Sequence, residues 1–428
     1  QRERSKLWWS YFDILGAKPY WLENNDGPLE SVVDDTLRQV VADQKIADVP
    51  VGAFLSGGID SSLIVSILQE VSSEPVQTFS IGSPDPDHDE SHIAEQVARQ
   101  IGTDHTSLVV TPEDAMEIIP GLSQIYDEPF ADSSQIPTIL VARMASSSVK
   151  VALTGDGGDE MFAGYNRYRW APLVAAGSRG MPVKVKTQIV KNIEKLIRSQ
   201  SRGRNSIGNE FVESAMKFPQ LYSKLAKVAR ILSLRGQQEI YESLIREPLA
   251  KQALLNCSNS MDQESCRYVW QADRSFSENM MIADAIGYLP DDILVKVDRA
   301  SMSTGLEVRV PFVDYRVLRL AASIPMNQKI RYGKTKWPLR RLLSKKIAPS
   351  LINRPKSGFS VPIDKWLRGP LRPWAEDCLF SNSLTTGGLL DPNKIRSLWC
   401  NHLIGIEDNS KLLWHILMYQ SWFDRYGR

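Results

Sequence analysis

Residues 49–62 read VPVGAFLSGGIDSS and combine an apolar run, a glycine-rich turn and the beginning of a second apolar pattern. Its first part, at 49–55, is a short apolar run typical of a strand that is buried on both faces of a sheet. The letters SGG at 56–58 follow as a tight turn with small side chains. Apolar residues then recur at helical spacing from Leu63 onward. The stretch therefore predicts a strand, a glycine-rich turn and a helix.

Such a turn presents backbone N–H groups and a helix N-terminus to an anion. The hydroxyl groups of Ser56, Ser61 and Ser62 add further donors for a phosphate. Asp60 alone would repel a phosphate, but Mg²⁺ binds one or two carboxylates together with phosphate oxygens. The alternative is an ordinary strand-to-helix turn in which an Asp or a Ser caps the helix. We favour the phosphate site.

The turn lacks the GxxxxGKS/T pattern of the common ATPase loop. The letters SGGIDSS at residues 56–62 instead resemble the SGGxDS pyrophosphate loop of the N-type ATP pyrophosphatases. The resemblance implies an enzyme that cleaves ATP between the α and β phosphates and adenylates a carboxylate or carbonyl oxygen.

Strand and helix patterns alternate after this turn. Further strands are predicted at residues 76–81, 105–110 and 149–153. The alternation indicates a doubly wound parallel sheet of the α/β class, a Rossmann-like fold. Beyond about residue 170 strand patterns are weak, so a mainly helical C-terminal region is expected. Ligands of doubly wound sheets bind beyond the carboxyl ends of the strands, where the turns after Leu55, Ile81 and Leu153 are expected to lie.

The strand that ends at Leu153 is followed by a second glycine-rich turn, TGDGGDE at residues 154–160. An acidic surface loop is one interpretation. The other is a magnesium site, in which a carboxylate from a second strand end acts together with Asp60. Asp159 is the predicted second ligand. The turn and the letters MFAGY that follow it resemble the GxGxDE and GGY segments of the asparagine synthetase family.

The resemblance to this family extends from about residue 28 to residue 425. It includes the segments LPDDILVKVDRASMSTGLEVRVPFVD at 289–314 and RPKSGFSVP at 354–362. It implies the synthetase half of a glutamine-dependent asparagine synthetase. The implied organisation has three parts. Residues 1–27 are an aromatic linker from a missing glutaminase domain, and residues 28–170 are the ATP-pyrophosphatase α/β core. Residues 171–428 are a mainly helical part that carries the catalytic lysine loop.

The same resemblance assigns roles to individual residues. Lys356 corresponds to the catalytic lysine that faces the phosphates, where an ammonium group offsets developing negative charge. Asp156 stands where the best-known members carry a Glu tied to formation of the acyl-adenylate, and its shorter side chain is a departure. Asp60 and Asp159 are the expected metal ligands. The expected ATP-binding residues are Leu55, Ser56, Gly57, Gly58, Asp60, Ser61, Ile81, Thr154 and Gly155.

The acceptor segment departs further from the family pattern. Residues 127–135, DEPFADSSQ, stand where many members place Thr and Arg to hold aspartate, and this segment contains no Arg. Asp132, Ser133 and Ser134 are the expected substrate-binding residues. They suit an ammonium group or hydroxyls and would repel a free carboxylate unless a cation intervenes. Aspartate is nevertheless the expected acceptor, with asparagine as the product; the alternatives are a sugar uronate, or an intramolecular amide as in β-lactam- and lasso-peptide-forming relatives.

The predicted reaction uses ATP and Mg²⁺ to adenylate a small-molecule carboxylate, and ammonia then gives the amide, AMP and pyrophosphate. In the family, ammonia comes from a glutaminase domain with an N-terminal Cys nucleophile. This chain begins at Gln1 and its first Cys is Cys257, so we expect that activity in a separate or removed N-terminal domain. An inactive nucleotide-binding scaffold is the remaining alternative, against which the intact Asp60, Asp159 and Lys356 argue. A homodimer is left open.

Composition limits the classes of partner. A net charge of +1 gives no reason to expect nucleic acid or an anionic membrane surface. No apolar run approaches the roughly 20 residues that span a bilayer, and no signal peptide is visible. The four cysteines include no CxxC pair, which favours reduced thiols over a zinc site. A cytoplasmic enzyme is expected.

Overall fold

The computed structural model describes most of the chain, in ten segments. They are residues 10–16, 28–85, 89–203, 219–234, 236–245, 268, 270–354, 361–381, 389–405 and 407–427. The chain divides into two compact units. The sheet unit contains the described residues within 1–115, 132–165 and 281–361. The helical unit contains those within 116–131, 166–280 and 362–428.

Five strands form one parallel sheet in the described part of the sheet unit. They are β1 (Val51–Phe54), β2 (Gln77–Gly82), β3 (Asp104–Val109), β4 (Val151–Leu153) and β5 (Glu307–Arg309). Their spatial order is β3-β2-β1-β4-β5. The chain adds β2 and β3 on one side of β1 and then returns to add β4 and β5 on the other side. The predicted doubly wound, Rossmann-like parallel sheet is confirmed, and its strand order reverses between β1 and β4.

Both faces of the central strands are buried. Successive strand residues point to opposite faces, and the core divides accordingly. Ala53 and Leu153 pack in one core, whereas Phe79 and Ala152 pack in the other. The first core is covered by the helices Leu29–Lys45, Ile59–Glu70, Tyr315–Ser323 and Trp337–Leu343. The second is covered by the helix Gln135–Ser146. Burial on both faces explains why the strand residues before the first glycine-rich turn are continuously apolar.

The edge strand β5 lies in the part of the chain predicted to be mainly helical. It pairs in parallel with β4, and its register places Arg309 beside Leu153. The weak strand patterns beyond residue 170 fail to predict it. The reason is its length of three residues, two of which are charged, so that no hydrophobic periodicity can develop.

The other helices complete the two units. In the sheet unit they are Tyr11–Gly16, Ser91–Ile101, Gly158–Met161, a π-helical stretch Asp284–Leu294, Val295–Met302, a 3₁₀ turn Pro311–Val313, Met326–Lys329 and Pro349–Ile352. Two helices contain a unit boundary, Pro112–Ile118 and Phe276–Ala283. In the helical unit they are a 3₁₀ turn Ile119–Gly121, Leu122–Tyr126, Arg167–Arg179, Val183–Gly203, Pro219–Ser233, Gln237–Ile245, Ile363–Arg368, Arg372–Leu379, Pro392–Leu403 and Ser410–Tyr426. Among the described helices, none is both long enough and apolar enough to cross a lipid bilayer.

Candidate active site

The first glycine-rich turn is organised by its serine hydroxyl groups. Gly57 has a φ of +71°, a left-handed conformation that glycine adopts without steric cost. The hydroxyl oxygens of Ser56 and Ser61 lie 3.0 Å apart, and the Ser56 N–H donates to Ser61 Oγ at 3.2 Å. The Gly58 N–H donates to Ser56 Oγ at 3.3 Å. These bonds shape the turn directly before the helix Ile59–Glu70, whose first N–H groups have no partner within the helix.

The second glycine-rich turn packs directly on the first. A Cβ atom at Gly155 would lie 2.5 Å from the backbone nitrogen of Ser61. A Cβ atom at Gly158 would lie 2.6 Å from both Cγ and Oδ1 of Asp60. Side chains at these two positions would therefore overlap the first turn. The glycines allow the ends of β1 and β4 to meet where the strand order reverses, which is the usual ligand position in doubly wound sheets.

Asp60 and Asp159, one from each turn, share a buried lysine. Lys336 Nζ lies 2.7 Å from Asp159 Oδ1 and is also ion-paired with Asp60 Oδ2. The lysine is only 4% exposed. Burial opposes its charge, but Asp159 and Asp60 together raise the pKa of Lys336 above its ordinary value. The lysine is therefore charged, and it holds the two carboxylates close to each other.

Sequence reasoning missed Lys336. The lysine lies in GKTKW at 333–337, and a turn rich in lysine is normally solvated. It adopts a φ of +55° at the start of the helix Trp337–Leu343. Gly164 makes room for its side chain, because a Cβ atom there would lie 2.1 Å from Lys336 Cε. The glycine of the MFAGY segment was thus the one sequence signal for a closely packed neighbour, but it did not indicate that this neighbour is Lys336.

The arrangement of Asp60 and Asp159 also fits Mg²⁺. Both side chains supply carboxylate oxygens, the ligands that this hard cation prefers. Both are ion-paired with the same ammonium group, so oxygens from the two turns converge on one position. The donor set thus agrees with the predicted pair of magnesium ligands, whose role remains a prediction.

Asp156 is held by a hydrogen bond within its own turn. Thr154 Oγ1 donates to Asp156 Oδ2 at 2.7 Å. Thr154 is itself buried, and its N–H donates to the carbonyl oxygen of Arg309 on β5 at 3.0 Å. The strand that sequence reasoning missed therefore anchors the residue that orients Asp156. Asp156 is half-buried, and the hydrogen bond from Thr154 orients its carboxylate within the second turn.

The predicted acceptor residues contact a second buried lysine. Lys296 Nζ lies 2.7 Å from Asp132 Oδ2 and 2.8 Å from Ser134 Oγ. Ser134 donates from its N–H and its hydroxyl to Asp132 Oδ1, at 2.9 and 2.8 Å. Burial opposes ionisation, but Lys296 and the Ser134 hydrogen bonds hold the pKa of Asp132 below its usual range. Ser133, between them, is half-buried.

The remaining predicted residues occupy three settings. Leu55 is buried in the core, and its N–H donates to the carbonyl oxygen of Phe79 at 2.9 Å. Ile81 is half-buried near the end of β2. Lys356 lies within residues 355–360, outside the described residues. The roles of these residues toward ATP remain predictions.

Comparison with known proteins identifies the family. The sequence model described as Asparagine synthase matches residues 32–424. The chain belongs to the asparagine synthase family. A glutamine-hydrolyzing asparagine synthetase of Bacillus subtilis is 30% identical over 94% of this chain and 60% of its own length. A putative glutamine-hydrolyzing asparagine synthetase of Mycobacterium tuberculosis is 32% identical over 95% of this chain and 59% of its own length.

The chain is also similar to a protein with a different kind of name. The protein named Amidase chyE of Penicillium rubens is 24% identical over 88% of this chain and 60% of its own length. The chain described here therefore spans about 60% of the length of the curated relatives it matches. The resemblance that the two glycine-rich turns indicated is confirmed at the level of the family.

Proposed function

We propose that this chain catalyses the ATP-dependent amidation of a carboxylate, with aspartate as the acceptor and asparagine, AMP and pyrophosphate as products. The observation that carries the proposal is the contact between the two glycine-rich turns, with Asp60 and Asp159 paired to one cation. Carboxylates beside a turn rich in N–H and hydroxyl donors form a suitable site for Mg·ATP. Family membership supports a ligase that forms a C–N bond.

In this proposal the nucleotide lies across the ends of β1 and β4. The donors of residues 56–61 hold the pyrophosphate part of ATP. Asp60 and Asp159 would bind Mg²⁺, which when present offsets phosphate charge. Lys336 and Lys356 supply further positive charge toward the departing pyrophosphate. The residues proposed to lie along the adenosine and the α-phosphate are Leu55, Ile81, Thr154 and Gly155.

The chemistry has two steps. An oxygen of the substrate carboxylate attacks the α-phosphorus, the bond to the β-phosphate breaks, and pyrophosphate leaves. Ammonia then attacks the carbonyl carbon of the acyl-adenylate, the C–N bond forms, and AMP leaves with the electrons of the C–O bond. The nitrogen loses one proton in this step. We assign Asp156 as the group that accepts it, because Thr154 holds its carboxylate in a fixed orientation.

Pyrophosphate release tests the proposal directly. The chain is incubated with Mg·ATP and ammonium, with aspartate or with each of several uronates. Aspartate should give pyrophosphate and asparagine in equal amounts. Lys356→Ala should lower the rate by about 10²-fold or more, since it removes a charge that acts on the transition state. Lys334→Ala is the matched control, because Lys334 is exposed and bonds to Asn353. Absence of pyrophosphate with every carboxylate, although ATP binds, would favour the inactive scaffold.

A different acceptor is the second candidate. The absence of Arg from residues 127–135 and the short Asp156 side chain favour it, as does the relative named an amidase. Release of pyrophosphate with a uronate but not with aspartate would keep the proposed chemistry and change the substrate.

Ammonia is the proposed nitrogen donor. The names of two relatives state that they hydrolyse glutamine. We propose that a glutaminase region outside this chain supplies the ammonia, in the cytoplasm. The chain itself should use ammonium and should not use glutamine. Amide formation from glutamine at the rate seen with ammonium would contradict this part of the proposal.

A further inference from the structure

The Lys336 ammonium group is bound to the same two carboxylates that are predicted to bind magnesium. It lies 2.7 Å from Asp159 Oδ1 and is also ion-paired with Asp60 Oδ2. Mg²⁺ takes carboxylate oxygens at short distances and with a strict geometry. Two cations held by the same two oxygens would lie close together and repel each other strongly in a buried place. A magnesium ion that binds these oxygens therefore displaces the ammonium group.

The backbone that carries Lys336 is held in place, whereas its side chain can rotate. Lys336 has a φ of +55°, and a residue other than glycine keeps this conformation only where its surroundings hold it. The Arg340 N–H donates to the Lys336 carbonyl oxygen at 2.9 Å, and Arg340 Nε donates to the Thr335 carbonyl oxygen at 2.8 Å. The lysine side chain carries its charge at the end of a flexible stem of four carbons. A change of rotamer can therefore move the charge without moving the turn.

The charges of these three side chains determine what must accompany the metal. Two carboxylates and one ammonium group carry a net negative charge, which a divalent ion would convert into a net positive one. The displaced ammonium group of the buried Lys336 would also lose its carboxylates, and a buried charge without a partner is costly. The phosphates of ATP remove both costs, because they offset the excess positive charge and offer the ammonium group strong acceptors. Magnesium together with ATP can therefore replace the lysine more easily than magnesium alone.

We propose that Lys336 is an internal substitute for the metal. It holds Asp60 and Asp159 together until Mg·ATP binds, and its ammonium group then moves from the carboxylates to a phosphate. The inference rests on the part of the proposed function that places Mg·ATP at the two glycine-rich turns. It adds a coupling between metal and nucleotide, because the lysine opposes binding of the metal alone and supports binding of the nucleotide with its metal.

Substitution of Lys336 should change two affinities in opposite directions. Without nucleotide, Lys336→Met should bind Mn²⁺, which prefers the same oxygen ligands as Mg²⁺, at least about 10-fold more tightly than the wild-type chain does. With Mg²⁺ present, the same variant should bind α,β-methylene-ATP, which is not cleaved between the α and β phosphates, at least about 10-fold more weakly. Electron paramagnetic resonance of free Mn²⁺ and calorimetry measure the two affinities. Lys334→Met is the matched control, because Lys334 is exposed and lies in the same turn.

A second comparison tests the inference without changing the lysine, in case Lys336→Met does not fold. Without nucleotide, the wild-type chain and Asp159→Asn should bind Mn²⁺ with Kd values that differ by less than about twofold, because the lysine keeps the metal away from the wild-type carboxylates. With Mg²⁺ and α,β-methylene-ATP, Asp159→Asn should bind the nucleotide at least about 10-fold more weakly than the wild-type chain. The Asp159 carboxylate thus contributes to metal binding only when nucleotide is present.

The outcomes separate this inference from the proposed amidation. Neither affinity requires turnover, so a chain that binds Mg·ATP but releases no pyrophosphate with any carboxylate contradicts the amidation alone. Equal Mn²⁺ affinities of the wild-type chain and a folded Lys336→Met variant would overturn the inference. A loss of both affinities in that variant would also overturn it, because the lysine would then only support the folded structure. Nucleotide-free binding of Mn²⁺ that is about 10-fold tighter in the wild-type chain than in Asp159→Asn would overturn it as well.

Discussion

A single buried lysine is the residue on which the two glycine-rich turns depend most. Lys336 is paired with Asp60 and Asp159, and a buried ion pair is costly to break because the two carboxylates then lose the buried cation that offsets their charge. Lys336→Met should therefore destabilise the chain in EDTA by about 3–5 kcal/mol. Because Mg²⁺ is expected to occupy the same pair of carboxylates, MgCl₂ without ATP should restore much of the loss by binding the folded state. Thermal unfolding with and without MgCl₂ measures both effects.

The control for this experiment comes from the same turn. Lys334 is exposed, so Lys334→Met should change the free energy of unfolding by less than about 0.5 kcal/mol. Its response to MgCl₂ should match that of the wild-type chain. If Lys336→Met unfolds earlier but gains nothing from MgCl₂, the two carboxylates do not form a magnesium site.

At the scale of the elements, the contact between the two turns depends on the missing side chains of two glycines. A methyl group at Gly155 would meet backbone atoms of Asp60 and Ser61, which cannot rotate away. Gly155→Ala should therefore cost about 1–3 kcal/mol, the range for inserted groups that force backbone shifts. It should also weaken ATP binding, because the first turn must move. Urea unfolding and ATP titration measure the two effects.

A helical glycine with open space provides the comparison. A Cβ atom at Gly177 meets nothing within 4 Å, and Gly177 lies inside the helix Arg167–Arg179. Gly177→Ala should be neutral or stabilising by up to about 1 kcal/mol. Equal effects of the two substitutions would show that the turns are not closely packed.

The sequence predicts those elements whose own residues form a recognisable apolar pattern. β1 and β4 are recognisable because strands buried on both faces are continuously apolar, and the two glycine-rich turns follow directly after them. β5 is not recognisable, because a charged strand of three residues has no period. Lys336 and Lys296 are also missed, since the carboxylates with which they pair are far away in the sequence. Local patterns thus predict the framework and point to the two acidic turns, whereas Lys336 and Lys296 are recognised only in the tertiary structure.

At the scale of the whole chain, the pH dependence of stability reflects buried acids of the sheet unit. Glu160 is 2% exposed. Burial, together with Asp159 and Asp284, raises its pKa to about 7, although a hydrogen bond from the Tyr165 hydroxyl at 2.6 Å acts in the opposite direction. The folded chain therefore binds a proton at Glu160 more tightly than the unfolded chain, whose ordinary pKa is 4.5.

The sign of the effect follows from this difference in proton affinity. The stabilisation from protonated Glu160 is complete below pH 4.5 and is lost as the pH rises through about 7. Between these limits the wild-type chain should lose on the order of 3 kcal/mol relative to Glu160→Gln, which cannot ionise. Urea unfolding in EDTA at several pH values measures the difference, and Glu74→Gln, at an exposed position, should follow the wild-type profile. Parallel profiles for the wild type and Glu160→Gln would mean that Glu160 ionises in the folded chain as it does in the unfolded one, and that its neighbours compensate for its burial.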